Sequence, residues 1–181
     1  LAKASIFKVP VLGAILRATG QIPVQRAGAP TTAASPTSAT SLAAVQRLTD
    51  EGLAVIVYPE GTLTREPDLW PMRGKTGAVR IALDQNVPLI PAASWGVQQI
   101  MPRYGRLSLF PRKNVTVLVG DPVDLSAWRG RPLTPALLEE ATEAVMTAIT
   151  TLVAQLRNAT PPAGRWNPSE HGQTEVGRLD S

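Results

Sequence analysis

Apolar residues recur at helical spacing along residues 135–157, the longest patterned segment of the chain. Thr134-Pro135 gives this segment a capping residue followed by a proline, which is typical of a helix start. Its glutamates lie in the first half, near the positive end of a helix dipole. The pattern predicts an amphipathic helix. Its apolar stripe consists of Leu138, Ala141, Val145, Ala148, Leu152 and Leu156.

Short apolar runs alternate with further helical patterns. The runs predict strands over 54–58, 87–95 and 115–120, and a brief extended piece over 21–26. The helical patterns span 9–19, 41–51 and 75–85, and Gly20 and Gly52 follow the first two as stop signals. Such alternation predicts an α/β fold, with a mainly parallel (mixed) sheet flanked by helices in a single domain.

Two segments lack any period. Residues 27–41 are small, polar and interrupted by prolines, which predicts a surface loop. Residues 158–181 contain few apolar side chains, which predicts a tail that is either disordered or draped over the surface. The folded domain is therefore expected to span residues 1–157.

Composition limits the classes of function. The chain has 181 residues, a net charge of +4, no cysteine and one histidine. The basic excess suits an anionic partner such as a phosphorylated metabolite or a lipid headgroup. Few aromatic residues are present, so a stacking platform for nucleic acid is not expected. Because His171 is the sole histidine, we expect no metal site and no serine-hydrolase triad.

No stretch reaches the roughly 18 apolar residues that a membrane span needs. The most apolar stretch, Ile6–Leu16, is interrupted by Lys8, Pro10 and Gly13. It suits either peripheral membrane contact, with Lys3 and Lys8 at its side, or a buried core helix. The chain begins with Leu1, directly before this stretch, which suggests that the sequence starts inside a larger protein.

The turn Pro59-Glu60-Gly61-Thr62 directly follows the predicted strand over 54–58. Ligands in α/β sheets bind beyond the carboxyl ends of strands, so this turn is a candidate site. Its composition alone suits an ordinary tight turn equally well. The cations Arg73, Lys75 and Arg80 cluster at the next predicted helix start, which favours an anion site. A nucleotide-binding P-loop is excluded because position 69, which must be glycine, is Leu69.

The run Tyr58–Thr62 resembles the Phe-Pro-Glu-Gly-Thr block of the glycerolipid acyltransferases, the family of 1-acylglycerol-3-phosphate O-acyltransferases. Three other stretches resemble this family in its own order: residues 3–26, 71–83 and 87–93. The first of them contains the family's Gly-x-Ile/Val-x-Val-x-Arg run as Gly20, Ile22, Val24 and Arg26. The resemblance covers roughly residues 3–120.

This resemblance implies a glycerophosphate-acyltransferase-like fold and a reaction. An acyl group would pass from acyl-CoA or acyl-carrier protein to the free hydroxyl of 1-acylglycerol 3-phosphate, giving phosphatidic acid without a further cofactor. Lysophosphatidic acid would be the acceptor, at the cytoplasmic face of a membrane to which the protein binds peripherally. The implied substrate-binding residues are Arg26, Glu60, Gly61, Thr62 and Lys75.

The sequence departs from the family pattern in two places. Leu63-Thr64 stands where the family has Arg-Ser, and the next arginine is Arg65, so the family arginine's counterpart stays open. The family's catalytic His-x-x-x-x-Asp block is absent from the sequence. We therefore expect no catalytic residue within this chain and no acyl transfer by the chain alone. The alternative is a catalytically inactive module that binds phospholipid or lysophospholipid.

Overall fold

The computed structural model describes residues 2–3, 14, 23–24, 45, 47–48, 50–103 and 105–174. The chain divides into two compact units, Leu1–Tyr58 and Pro59–Ser181. Apart from residue 14, which is helical, the predicted helix over 9–19 lies outside the described residues. The predicted loop over 27–41 lies outside them as well.

The first unit contains one parallel strand pair. Strand β1 (Ala2–Lys3) pairs with β2 (Pro23–Val24), with Ala2 opposite Pro23 and Lys3 opposite Val24. β2 lies within the segment 21–26 that the sequence predicted as extended. A parallel pair requires a long connection between its strands, and the intervening residues provide one.

The predicted helix over 41–51 is helical at the described residues 45, 47, 48 and 50. Val45 is buried, with 1% of its surface exposed. Gly52 follows with a φ of 72°, and the Leu53 N–H donates to the Leu48 carbonyl at 2.8 Å. A glycine in the left-handed region commonly ends a helix. The predicted stop at Gly52 is therefore confirmed.

The strand predicted over 54–58 is wrong for the described part of the chain. These residues pair with no described strand, and Ile56 and Tyr58 are 74% and 77% exposed. An apolar run indicates a preference for extended backbone, but a strand also requires a neighbour that supplies ladder hydrogen bonds. The Pro59 turn therefore follows a segment without regular secondary structure rather than a sheet strand.

The second unit contains an antiparallel strand pair, β3 (Ala92–Trp95) with β4 (Thr116–Val119). Both lie within the predicted runs 87–95 and 115–120. The described strands are one parallel and one antiparallel pair, so a mainly parallel sheet is not what they show. The connection from β3 to β4 contains a single-turn helix, α2 (Val97–Ile100). The connection is long enough for a crossover, but it returns the chain antiparallel to β3.

Helix α3 (Pro135–Arg157) organises the core of this unit and confirms the predicted bounds. The Thr134 hydroxyl accepts from the Leu137 N–H at 3.3 Å, and Asn158 ends the helix in the left-handed region. The first half of α3 packs against helix α1 (Gly77–Asp84), which was predicted over 75–85. This cluster comprises Val79, Ala82, Leu125, Leu137, Leu138, Ala141 and Val145.

The second half of α3 packs on the β3–β4 pair. Leu152 and Val153 form a cluster with Trp70 and Ala93. Arg157, at the last turn, lies between two tryptophan rings. Its guanidinium carbon is 4.1 Å from the centre of Trp70 and 4.5 Å from that of Trp95, within cation–π distance.

Residues 158–174, which belong to the segment predicted as a disordered or surface-draped tail, contain regular structure. They include a 3-10 helix (Pro168–His171), whose capping residue Asn167 accepts from the Ser169 N–H. The Trp166 and His171 rings stack with their centres 3.5 Å apart. The rest of the predicted tail, 175–181, lies outside the described residues, and residue 157 as a domain boundary stays a prediction.

Candidate active site

The turn Pro59–Thr62 is held against the segment that leads into α1. The Lys75 N–H donates to the Pro59 carbonyl at 2.8 Å. Gly61 adopts a φ of 68°, and a Cβ at this position would lie 3.4 Å from Cδ of Lys75. The aliphatic stem of Lys75 therefore runs alongside the turn, and a glycine is favoured there by the positive φ. Thr62 is half-buried beside it.

Glu60 is an unusual carboxyl in this turn. Burial raises its pKa from 4.5 to about 7. The Met72 N–H, which donates to Oε2 at 3.3 Å, together with Thr64 and the charge of Arg165, offsets part of that effect. A carboxyl with such a pKa is neutral in a large fraction of molecules at pH 7. It can then donate a hydrogen bond as well as accept one.

Glu60 and Lys75 line the same cavity, which has a volume of about 280 Å³. Both signs of charge border it, since Arg73 and Glu139 also line it and form an exposed ion pair at 3.2 Å. Thr76, at the N-terminal end of α1, is part of the wall, so the positive end of the helix dipole faces this region. The remaining lining residues are Met72, Gly74, Asn167 and Pro168.

The far wall of the cavity comes from the C-terminal segment. The Arg73 N–H donates to the Trp166 carbonyl at 2.9 Å, which places Asn167 and Pro168 beside the cavity. The Arg165 guanidinium holds this segment on α3 through a bidentate contact with Glu143 at 2.7 to 3.1 Å. These residues were not among the predicted site residues, because residues 158–181 have the composition of a tail. The Asn167-Pro168 pair, a capping residue before a proline, was the available signal.

Two local hydrogen bonds and a long-range contact from Arg103 hold the loop that follows the turn. The Thr64 hydroxyl donates to the Trp70 carbonyl at 2.7 Å, and Glu66 Oε2 accepts from the Trp70 N–H at 2.8 Å. Arg103, from the β3–β4 connection, donates to the carbonyls of Thr64 and Glu66 at 2.8 and 3.0 Å. The sequence gave no indication that Arg103 supports this loop.

The sequence candidates therefore divide into three groups. Glu60 and Lys75 line one cavity, and Gly61 and Thr62 belong to the turn beside them. Arg65 is 3% exposed, donates to the Thr174 hydroxyl at 3.4 Å and is not among the residues that line the cavity. Arg26 lies outside the described residues. Its convergence with the turn stays a prediction.

The turn with its half-buried carboxyl, the neighbouring lysine and the start of α1 border one cavity, where the lysine and the helix start can donate hydrogen bonds to an anion. The acyltransferase family model matches residues 1–95, which is more than half of the chain. The chain belongs to the acyltransferase family.

Two curated relatives are chloroplastic 1-acyl-sn-glycerol-3-phosphate acyltransferases. The one from Brassica napus is 30% identical over 124 residues, which cover 68% of this chain and 33% of the relative. The one from Arabidopsis thaliana is 27% identical over 124 residues, which cover 68% of this chain and 32% of the relative. The chain thus spans about a third of the length of these proteins.

A solved structure supports the fold. The 1-acyl-sn-glycerophosphate (LPA) acyltransferase PlsC from Thermotoga maritima matches with a TM-score of 0.57 and 22% identity. The match covers 89% of this chain and 57% of that protein. Within the part of the chain that the structure describes, no helix is long and apolar enough to cross a membrane.

Proposed function

We propose that this chain supplies the acceptor-binding part of a 1-acylglycerol-3-phosphate O-acyltransferase. The enzyme transfers an acyl group from a thioester to the free hydroxyl of 1-acylglycerol 3-phosphate and yields phosphatidic acid. Family membership supports acyl transfer, and the names of the two plant relatives support this acceptor. The observation that carries the proposal is that Lys75, the start of α1 and half-buried Glu60 border one cavity.

The phosphate of the acceptor fits the cationic side of this cavity. Lys75 and Arg73 can both donate charge-assisted hydrogen bonds to phosphate oxygens, and the N–H groups at the start of α1 add donors. Lys75 is the better-placed cation, because its backbone is fixed by Pro59 and its stem lies on Gly61.

Glu60 is suited to the glycerol hydroxyls rather than to the phosphate. An ionised carboxylate repels phosphate, whereas a neutral carboxyl does not, and burial keeps Glu60 neutral in a large fraction of molecules near pH 7. In either form it can accept a hydrogen bond from a glycerol hydroxyl. In this proposal Glu60 positions the acceptor and Gly61 and Thr62 shape the turn that holds it.

Several further parts of the proposal rest on the sequence resemblance alone. They are the participation of Arg26 in phosphate binding, acyl-CoA or acyl-carrier protein as donor, and the absence of a further cofactor. A mainly parallel sheet and peripheral binding at the cytoplasmic face of a membrane belong to the same group. Nucleic acid is not a proposed partner.

Glycerol 3-phosphate binding, measured by isothermal titration calorimetry, tests the site. Lys75→Met should weaken the affinity about tenfold or more, because one charge-assisted hydrogen bond contributes about 1.5–3 kcal/mol. Arg80→Met is the matched control: it also removes one cation near the start of α1, but Arg80 is exposed and does not line the cavity. Equal weakening by both variants would show a general charge effect and contradict the assigned site.

The alternative function, an inactive lipid-binding module, arises because the sequence lacks the His-x-x-x-x-Asp block. Acyl-CoA thiol release with lysophosphatidic acid separates the two functions when it is measured on the full-length gene product. The enzyme releases thiol, and Lys75→Met raises its KM for lysophosphatidic acid. The inactive module binds the lipid with the same dependence on Lys75 but releases no thiol.

A further inference from the structure

The connection between β3 and β4 exposes many large apolar side chains. Within residues 97–113, which we call the connecting loop, these side chains are 44% to 88% exposed, and Phe110 is the most exposed of them. Single exposed apolar residues are ordinary, whereas a group of them on one segment indicates an interaction surface. The exposed set consists of Val97, Met101, Leu107, Leu109 and Phe110.

All charged residues in this part of the chain are basic. No aspartate or glutamate occurs from Gln85 to Gly120, while the connecting loop carries Arg103, Arg106, Arg112 and Lys113. The guanidinium of Arg103 is engaged with backbone carbonyls of residues 64 and 66. Arg106 and Arg112 are exposed beside the apolar side chains. The surface therefore combines apolar contact area with cations.

The base of the connecting loop is fixed. The Ser108 N–H donates to the Ile100 carbonyl at 2.7 Å, which brings the two arms of the loop together next to Met101 and Leu107. Arg103 ties one arm to the loop that follows the Glu60 turn. A surface with a fixed base loses less conformational entropy on binding than a free chain would.

We propose that the connecting loop docks the protein on an anionic lipid bilayer. Leu107, Leu109 and Phe110 would enter the boundary between headgroups and acyl chains, while Arg106 and Arg112 contact lipid phosphates. Apolar side chains interleaved with arginines match such a boundary, because the chains enter it while the cations stay at the headgroups. The proposal rests on the peripheral membrane binding included in the proposed function and assigns it a surface. It does not depend on phosphate binding at the cavity, and it uses a different segment from the Ile6–Leu16 stretch.

Vesicle co-sedimentation tests the proposal, with phosphatidylcholine vesicles that either contain or lack phosphatidylglycerol. Leu109→Ser/Phe110→Ser should lower the partition coefficient more than tenfold. Arg106→Gln/Arg112→Gln should lower it about 30-fold on anionic vesicles at low salt, and much less at high salt. Two matched controls lie outside the connecting loop. Leu63→Ser removes an apolar side chain that is 60% exposed, and Arg131→Gln removes an exposed arginine; both should leave binding within twofold.

Phe110→Trp gives a second readout, tryptophan fluorescence, which does not require a variant with weakened binding. Brominated lipids should quench this tryptophan strongly, whereas a tryptophan placed by Leu63→Trp should not be quenched. The proposal is overturned if wild-type protein ignores both vesicle types, or if the connecting-loop variants bind as wild type does. It is also overturned if only Lys8→Gln weakens binding, which would assign the contact to Ile6–Leu16. The proposal is likewise overturned if the connecting-loop variants change the molar mass of the protein in solution but not its vesicle binding. That result would assign the surface to contact with a second copy of the chain.

Discussion

Glu60→Gln tests the electrostatics of the candidate site through stability rather than activity. Glutamine keeps the shape of the side chain and can still accept from the Met72 N–H, but it cannot ionise. In the folded protein, burial raises the pKa of Glu60 from 4.5 to about 7. In the unfolded chain, the carboxyl is exposed to water and titrates near its ordinary value.

The sign follows from the protons that each state binds. Between pH 4.5 and 7 the folded state holds a proton on Glu60 that the unfolded state has released. The free energy of unfolding therefore falls as pH rises through this window, and Glu60 adds no further slope below or above it. The full fall corresponds to about 3 kcal/mol, because each pKa unit is worth about 1.36 kcal/mol. Glu60→Gln lacks this fall. The free energy of unfolding of the variant, relative to that of wild type, should therefore rise by about 3 kcal/mol as the pH increases from below 4.5 to above 7.

Urea denaturation, followed by tryptophan fluorescence at a series of pH values, measures this difference. Other carboxyls titrate in both proteins and cancel when the two curves are subtracted. Glu139→Gln, which removes an exposed carboxylate from the opposite side of the cavity, controls for the loss of one negative charge. A wild-type–variant difference that stays constant between pH 4.5 and 7 would show that Glu60 is not held neutral by burial, and our account of its role would fail.

Three further variants test local geometry, each by urea denaturation. Gly61→Ala should cost about 1–2 kcal/mol because its φ is 68°, and Gly61→Asn should cost less; equal costs would contradict the backbone argument. Gly74→Ala should cost about 1–3 kcal/mol because its Cβ would lie 2.8 Å from Met146 Cγ, and Met146→Ala should make that cost smaller in the double variant. Arg157→Met should cost about 1–2 kcal/mol through its two tryptophan contacts, and a change below about 0.5 kcal/mol would refute them.

Local signals were sufficient to predict α1 and α3, but not the short helices at 97–100 and 168–171. For α3, the capping Thr134, the proline after it and the apolar stripe all act within one or two turns, and the bounds 135–157 are confirmed. The same reasoning was insufficient for residues 54–58, because four consecutive apolar residues do not specify a pairing partner. It also missed the antiparallel orientation of β3 and β4, which depends on how the connecting loop between them folds.

The sequence predicted only the part of the candidate site that comes from the Glu-Gly-Thr turn and the start of α1. Glu60 and Lys75 stand in segments whose composition indicated a turn and a helix start, and both border the cavity. The opposite wall, Asn167 and Pro168, reaches the cavity through a hydrogen bond between residues 73 and 166. A contact over that sequence separation leaves no periodic pattern. The raised pKa of Glu60 was likewise unpredictable, because burial is a property of the folded protein.

The contact between Arg73 and Trp166 has a consequence for engineering substrate choice. The match to the family model ends at residue 95, yet part of the cavity wall comes from residues 139, 167 and 168. Two members with identical Glu-Gly-Thr blocks can therefore differ in the shape of this cavity. If the cavity binds the acceptor as we propose, grafting residues 158–174 of one member onto another should alter acceptor preference while every motif residue stays in place.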